Sequence, residues 1–129
     1  MDNKKELRKV LDDYNRAWYD KDIKKLRQFY DDDNYLIYFD NHKGNDTYTI
    51  DEHLNLVSKF FNEGKQTESG AVEELLIDNL NILSNETSAC LCYLARYKSF
   101  PKPAVRTTMY LQKTDEVWKI YHVHCSFEP

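Results

Sequence analysis

The segment WKIYHVHCSF, residues 118–127, combines two histidines with β-branched and aromatic residues. Such residues favour an extended strand, in which successive side chains point to opposite faces. An uninterrupted period of two would place on one face Trp118, Ile120, His122, His124 and Ser126. The other face would then carry Lys119, Tyr121, Val123, Cys125 and Phe127. The role of the histidines therefore depends on which of the two faces lines a cavity.

Three more strand-like stretches precede this segment, and short polar links separate them. The four predicted strands cover residues 71–83, 87–100, 105–113 and 117–127. Links as short as SNE and TDE favour antiparallel neighbours, as does the proline-containing loop between the second and third strands. The second half of the sequence is therefore predicted to form an antiparallel meander.

The first half of the sequence has the periodicity of helices. Apolar residues at helical spacing predict an amphipathic helix over residues 4–20, and Asp22 can cap a short second helix. A strand is predicted over residues 35–40, and a capping box of Thr49 and Glu52 opens a third helix. Helices followed by strands predict an α+β fold, in which one face of a curved sheet packs on the helices.

Length, charge and composition limit the classes of protein to consider. With 129 residues, 41% of them hydrophobic, the chain is expected to form one domain over residues 1–129. Its net charge of -4 disfavours a nucleic-acid or anionic-membrane partner, because both are bound through concentrated Lys and Arg. The first residues, MDNKKELRK, lack the apolar core of a secretory signal, so a cytoplasmic location is predicted.

The sequence predicts neither a metal ion nor a cofactor. Cys90, Cys92 and Cys125 are expected to be reduced thiols in the core, because a C-x-C pair within an apolar run differs from the usual C-x-x-C motifs. His122 and His124 lack a third ligand nearby in the sequence. Gly-rich phosphate loops and nucleophile elbows are also missing from the sequence.

Four stretches carry a resemblance to a known superfamily: KDIKKLRQFY (21–30), IDEHL (50–54), SACLCYL (88–94) and WKIYHVHCS (118–126). In their order and spacing they resemble the nuclear-transport-factor-2-like (NTF2-like) superfamily, in its SnoaL-like branch. The association domain of calcium/calmodulin-dependent protein kinase II is the nearest likeness. The resemblance implies a cystatin-like cone, with three N-terminal helices packed on a strongly curved, mainly antiparallel sheet. The open end of such a cone is a pocket.

The resemblance also implies which strand positions line the pocket. The three pocket arginines of the kinase association domain match Ala95, Thr108 and Cys125. Arg106 is displaced by two residues from such a position and keeps its strand face, so it is expected to enter the cavity with Thr108. Arg96 is displaced by one residue and is expected to point away. A pocket that contains Arg106 would suit a small organic anion.

For the last strand, the same matching places Tyr121 and Cys125 inward and both histidines on the convex face. Dimers of this superfamily often pair their sheets through that face. Trp118 and Ile120 would extend it, and a sheet face so rich in apolar groups is expected to be covered. A homodimer paired through the sheets is therefore predicted, and a larger ring would extend the likeness to the kinase domain.

Ketosteroid isomerase, another member of the superfamily, suggests candidate catalytic residues. Its oxyanion-hole tyrosine matches Tyr14, but its catalytic aspartate matches Tyr38 and its second acid falls near Thr108. Asp40 shares the face of Tyr38 and is a candidate base, with a turn residue as the alternative. His53 matches the pocket histidine of the kinase association domain, with a helix-surface histidine as the alternative.

The aromatic residues complete the predicted pocket. The ones assigned to the interior are Tyr14, Trp18, Tyr38, Tyr93 and Tyr121. Such a lining suits a flat, partly polar organic molecule, although the same residues can simply pack a core. Three functions stay open: binding of a small organic molecule, catalysis of the cyclase, isomerase or dehydratase kind with Tyr14 and Asp40 or His53, and oligomerisation.

Overall fold

The structure is a computed structural model that describes residues 3–31, 33–41, 43–64, 75–98 and 101–129. Its helices are α1 (Asn3–Tyr19), α2 (Ile23–Arg27) and α3 (Ile50–Gly64). Its strands are β1 (Tyr35–Phe39), β2 (Thr47–Thr49), β3 (Leu75–Ser84), β4 (Ser88–Tyr97), β5 (Val105–Thr114) and β6 (Val117–Phe127). Two ends of the predicted strands, residues 71–74 and 99–100, lie outside the described residues.

The strands form one six-stranded sheet in the order β2-β1-β6-β5-β4-β3. The four long strands β3 to β6 make the predicted antiparallel meander. Strand β1 joins the meander beside β6 in a parallel pairing, and β2 pairs antiparallel with β1 at the edge. The α+β architecture and the mainly antiparallel sheet are confirmed, whereas the short edge strand β2 was not predicted.

Two of the helices have ordinary length, and the middle one is a single turn. Helix α1 buries the predicted apolar stripe, which includes Leu7, Leu11 and Tyr14. Helix α2 has only five residues, although Asp22 caps it as predicted by accepting from the Lys25 amide at 3.0 Å. The chain turns after this helix, and Tyr30, which lies beyond the helix, is buried in the core. None of the helices that the structure describes is long and apolar enough to span a membrane.

The core lies between the helices and the concave face of the sheet. Side chains alternate strictly along the central strands: in β4 the buried positions include Leu91 and Tyr93, and in β5 they include Thr107 and Met109. The residues between them, such as Arg106 on β5, lie on the opposite, convex face. This alternation decides which side chains face the helices and which lie on the opposite face of the sheet.

The last strand contains a β-bulge that interrupts its alternation. Tyr110 of β5 pairs with His122, but the next residue, Leu111, pairs with Ile120, so Tyr121 has no partner opposite it. An extra residue shifts the alternation by one, which turns every later side chain to the other face. The side chains of Ile120, before the bulge, and of Val123, after it, are therefore both buried.

The bulge overturns one premise of the predicted homodimer. Trp118 and Ile120 were expected on the outward face, but both are buried, and Trp118 Nε1 donates to Glu6 Oε2 of α1 at 3.2 Å. A uniform period of two could not predict this, because one unpaired residue is enough to bring both halves of the strand into the core. A homodimer paired through the sheets stays a prediction without that support.

Candidate functional site

A cavity of about 200 Å³ opens between helices α1 and α3 and the concave face of the sheet. Its lining is dominated by aromatic and aliphatic side chains. The helices contribute Tyr14, Asn15, Trp18, His53, Leu56, Val57 and Phe60. The strands contribute Tyr38, Leu75, Tyr93, Ala95, Tyr97, Val105, Thr107, Val123 and Cys125, and the segment after β1 adds Asp40, Asn41 and Asn45.

A buried chain of hydrogen bonds links the two helices behind the cavity. The Tyr14 and Tyr30 hydroxyl oxygens are 2.7 Å apart, and the Tyr30 hydroxyl is 3.2 Å from His53 Nε2. These residues are only 4%, 1% and 3% exposed, respectively. A hydroxyl both donates and accepts, so Tyr30 can connect the phenol of Tyr14 to the imidazole without leaving either group unpaired.

Burial keeps these groups uncharged. It lowers the pKa of His53 to about 4 and raises the pKa of Tyr14 to about 12, because a charged form loses its hydration in the interior. Burial likewise raises the pKa of Tyr30 well above its ordinary value. Near neutral pH these three hydrogen-bonded side chains are therefore a neutral imidazole and two neutral phenols.

The position of His53 is fixed by the rings around it. The Tyr38 ring stacks on the imidazole, with centroids 4.2 Å apart and an angle of 24° between the planes. Trp18 and Tyr30 meet it edge-on, at 6.2 Å and 5.6 Å. The capping box at the start of α3 holds this helix in place, because the Glu52 amide donates to Thr49 Oγ1 at 3.1 Å. Aromatic packing and a predicted cap thus both position the imidazole.

On the sheet side of the cavity, the Cys125 thiol lies beside two of the lining hydroxyls. The sulfur of Cys125 lies 3.7 Å from the Tyr38 hydroxyl and 3.9 Å from the Thr107 hydroxyl. Burial raises the pKa of the Cys125 thiol, so it stays protonated near neutral pH. This wall offers weak, neutral hydrogen-bonding groups within an otherwise apolar surface.

The mouth of the cavity is polar. Asp40 and the amides Asn41 and Asn45 line it, and Asn45 Nδ2 donates to Asp40 Oδ2 at 3.4 Å. Among the described residues, no lysine or arginine contributes to the lining. The Asp40 carboxylate and the two amides give this entrance groups that can accept or donate hydrogen bonds to a polar ligand.

Most of the predicted site residues lie together in this cavity. The ones that line it are Tyr14, Trp18, Tyr38, Asp40, His53, Tyr93 and Cys125. The alternative in which His53 lies on the helix surface is wrong, because the side chain is buried against Tyr38 and Tyr30. The catalytic and ligand-binding roles of these residues stay predictions.

Three of the predicted residues lie elsewhere. Arg106 is exposed on the convex face and donates from Nε to Ser126 Oγ at 3.2 Å, so its expected entry into the cavity is wrong. Thr108 shares that face and is exposed. On β5 the alignment with the kinase domain was shifted by one residue, and Thr107 takes the inward position. Tyr121, at the bulge, donates to Asp31 Oδ1 at 3.1 Å instead of lining the cavity.

Arg96 points away from the cavity, as predicted. Its Nε donates to Asp78 Oδ2 at 3.1 Å, and its Nη1 lies 3.3 Å from Glu128 Oε1. These contacts tie β4 to β3 and to the segment after β6. Arg96 is therefore part of an ion-pair network at the sheet rather than a ligand-binding group.

Some of the lining residues were not predicted. The alternation that groups Thr107 with Met109 and Leu111 was available in the sequence, but the resemblance to the kinase domain favoured the other face of β5. No comparable signal existed for Asn41 and Asn45, which enter the mouth from the segment between β1 and β2. Irregular segments have no period from which the direction of a side chain can be derived.

The structure places His122 and His124 on the convex face. His122 Nδ1 donates to the Ile37 carbonyl at 2.9 Å, since a carbonyl oxygen can only accept. Both imidazoles meet the Phe39 ring edge-on, at 5.4 Å and 5.7 Å. Within the described part of the chain, no group of three or more potential ligands is arranged to hold a metal ion.

Helices packed on a curved six-stranded sheet with a cavity on its concave side define the NTF2-like class of proteins. An NTF2-like protein of unknown function from Pseudomonas putida superimposes with a TM-score of 0.77, over 95% of this chain and 84% of that chain, at 17% identity. A family model for the SnoaL-like domain matches residues 7–128. The chain therefore belongs to the SnoaL-like domain family.

Two other solved structures are similar and carry functional descriptions of their own. One, from Xanthomonas campestris, is described as a candidate calcium/calmodulin dependent protein kinase II association domain; its TM-score is 0.71, with 17% identity over 96% of this chain and 86% of that chain. The other, from Streptomyces avermitilis, is described as a candidate dehydratase of the NTF2-like family; its TM-score is 0.75, with 13% identity over 95% and 94% of the two chains. At such low identity these superpositions show a shared fold alone.

Among curated proteins, none has a significant match to this sequence. The function of the cavity must therefore be argued from its own geometry.

Proposed function

We propose that this domain binds a small, planar, uncharged organic molecule in the cavity between α1, α3 and the sheet. The observation that carries the proposal is the composition of the lining, which combines aromatic rings and neutral hydroxyl, thiol and amide groups without a lysine or arginine among the described residues. A volume of about 200 Å³ is modest for a ligand pocket and suits a compact ring system.

The lining residues that the structure describes include no lysine or arginine, which argues against the organic anion that the sequence suggested. That expectation depended on Arg106, which lies on the convex face. A buried carboxylate ligand needs a positive partner, and His53 supplies none near neutral pH because burial lowers its pKa to about 4.

A binding screen with matched compounds tests the proposal. Each ring system is presented in a neutral, a carboxylate and an ammonium form, and the shift of the melting temperature is measured for each member of the trio. We expect the neutral member to stabilise the protein most, because at equal concentration the ligand with the lowest Kd for the folded state raises its stability most, by RT ln(1 + [L]/Kd). Preferential stabilisation by the carboxylate members would contradict the proposal.

A pair of variants on one helix shows whether the ligand enters the cavity. Leu56 lines the cavity, whereas its neighbour Asn55 is exposed and does not. Leu56→Trp should fill the cavity and abolish the ligand-dependent shift, while Asn55→Trp adds the same side chain outside and should leave it unchanged. Equal ligand protection in the two variants would place binding elsewhere on the protein.

Proton-transfer catalysis of the cyclase, isomerase or dehydratase kind is a second candidate function. It is favoured by the presence of the Tyr14 phenol and the Asp40 carboxylate in the lining of one cavity. Asp40 is the better-placed base, because His53 Nε2 already faces Tyr30. If a ligand from the screen is converted by the protein, Asp40→Asn should stop conversion while keeping the ligand-dependent stabilisation. Unchanged conversion in Asp40→Asn would exclude this carboxylate as the base.

A further inference from the structure

The convex face of the sheet carries a pair of adjacent thiols that the cavity does not use. Cys90 and Cys92 are two residues apart on β4 and share the outward face, and their sulfur atoms are 3.8 Å apart. Both side chains are half-buried, in contrast to Cys125, which is buried in the cavity lining. The prediction that all three cysteines are core thiols is therefore wrong for this pair.

The residues opposite the two cysteines on the neighbouring strands are uncharged. Cys90 lies between Leu83 of β3 and Tyr110 of β5. Cys92 lies between Asn81 and Thr108 on the same strands. None of these side chains carries a charge, so no lysine or arginine at these flanking positions can stabilise a thiolate.

The backbone makes a disulfide between the two residues unfavourable. Residues two apart in a strand have Cα atoms about 6.6 to 6.8 Å apart, which is the upper end of the range that a disulfide spans. The sulfur atoms, at 3.8 Å, would also have to approach to about 2.05 Å. The pair is thus held close, but not in the geometry of an S–S bond.

The same separation suits two thiolates on one metal ion. Zinc–sulfur bonds of about 2.3 Å at a tetrahedral angle place the two sulfur atoms roughly 3.8 Å apart, which is the distance in this structure. We propose that Cys90 and Cys92 form a binding site for a thiophilic divalent cation of the Zn(II) type on the convex face. Within the described residues no third side-chain ligand joins them, so water completes the coordination.

Binding at this site is an exchange of protons for the cation. Each S–H bond breaks and each sulfur forms a bond to the metal, while two protons leave to the solvent and no electron is transferred. The complex of one divalent cation with two thiolates is neutral, which removes the repulsion that disfavours two adjacent thiolates on an uncharged surface.

Cadmium serves as the probe, because a thiolate-bound cadmium ion gives an ultraviolet charge-transfer band. The reduced chain, freed of reductant, is titrated with Cd(II), and we expect that band together with the release of two protons per bound ion. Cys90→Ser and Cys92→Ser should each weaken binding by more than about a hundredfold, since loss of a supporting hydrogen bond alone costs roughly 10- to 100-fold. Zn(II) should displace the cadmium.

Two controls separate this site from other ligands in the chain. His124→Gln removes an exposed imidazole from the same face and should leave cadmium binding unchanged. In the unmodified protein, Cd(II) should protect Cys90 and Cys92 from alkylation, as measured by mass spectrometry of the peptides, so the conclusion does not depend on the folding of any variant. An unchanged band in the serine variants, or equal alkylation with and without cadmium, would overturn the proposal.

Discussion

His53 illustrates how the interior of this fold sets the chemistry of a side chain. The imidazole stacks on Tyr38, contacts Trp18 edge-on and bonds to the Tyr30 hydroxyl. Burial is the cause of its lowered pKa of about 4. A histidine in such a place is a neutral hydrogen-bonding group and a rigid part of the cavity wall, rather than a cation for an anionic ligand.

The middle member of the buried hydrogen-bond chain should matter most for stability. Tyr30→Phe removes the hydroxyl that joins Tyr14 to His53 and takes this hydrogen-bond partner away from both buried groups. Its expected cost is about 1 to 3 kcal/mol. Tyr14→Phe leaves the Tyr30–His53 bond in place and should cost less. Denaturant unfolding of both variants measures the difference, and equal costs would show that Tyr30 does not act as the link.

The burial of His53 also predicts an acid-sensitive stability. Its pKa falls from an ordinary value of 6.5 when unfolded to about 4 when folded. Between these values the unfolded chain binds a proton that the folded chain does not, so stability decreases as the pH falls from 6.5 towards 4. The loss from this one group reaches about 3 kcal/mol.

His53→Gln isolates that contribution, because glutamine keeps a hydrogen-bonding group beside Tyr30 but does not titrate. Unfolding free energies of wild type and variant should converge as the pH is lowered through this window. Other acidic groups titrate equally in both proteins and cancel in the difference. Parallel pH profiles of the two proteins would show that the imidazole has the same pKa in the folded and the unfolded state, which would contradict this prediction.

At the scale of single residues, the sequence predicted best where the alternation of a strand or the stripe of a helix was regular. Tyr14, Tyr38 and Tyr93 were assigned to the interior on that basis and line the cavity. Arg106 was assigned to the cavity through a resemblance that was one residue out of register, and the regular burial of β5 corrects it. Whether these residues bind a ligand depends on chemistry that a periodic pattern does not encode.

At the scale of elements, the bulge at Tyr121 is the feature that the sequence did not show. Before it, strand β6 directs Ile120 inward, and after it the strand directs Val123 and Cys125 inward. A single unpaired residue leaves no mark on composition, so a strict period of two assigned the two halves to opposite faces. The convex position of the histidines was nevertheless predicted correctly, because the resemblance fixed the second half of the strand.

The cap of helix α3 was predicted from the sequence and should make a measurable contribution to the unfolding free energy. Thr49 Oγ1 accepts from the Glu52 amide at 3.1 Å, and Glu52 Oε1 accepts from the Tyr48 amide at 3.1 Å. Thr49→Ala should lower the unfolding free energy by about 1 kcal/mol, whereas Thr49→Ser keeps the hydroxyl and should be close to wild type. Thermal or denaturant unfolding measures both, and an equal loss in the two variants would point to the methyl group instead.

At the scale of the whole molecule, the order of helices and strands was enough to predict the class of fold. Helices that precede an antiparallel meander have one way to bury their apolar stripes, which is against the concave face of the sheet. The short elements were harder: α2 is a single turn and β2 has three residues, so neither spans a full period. Their form depends on contacts across the sheet rather than on local sequence.

The predicted homodimer can be tested on the convex face, where half-exposed rings remain after Trp118 and Ile120 are assigned to the core. Tyr35 is 51% exposed there and contacts Tyr121, with ring centroids 6.4 Å apart. If the sheets pair, sedimentation at micromolar concentration should show a dimer. Tyr35→Lys should dissociate it, because burial of an unpaired charge in an interface costs free energy. Tyr19 on α1, 44% exposed, gives a matched control, and Tyr19→Lys should leave the dimer intact. A monomeric wild type, or equal dissociation by both variants, would refute pairing through this face.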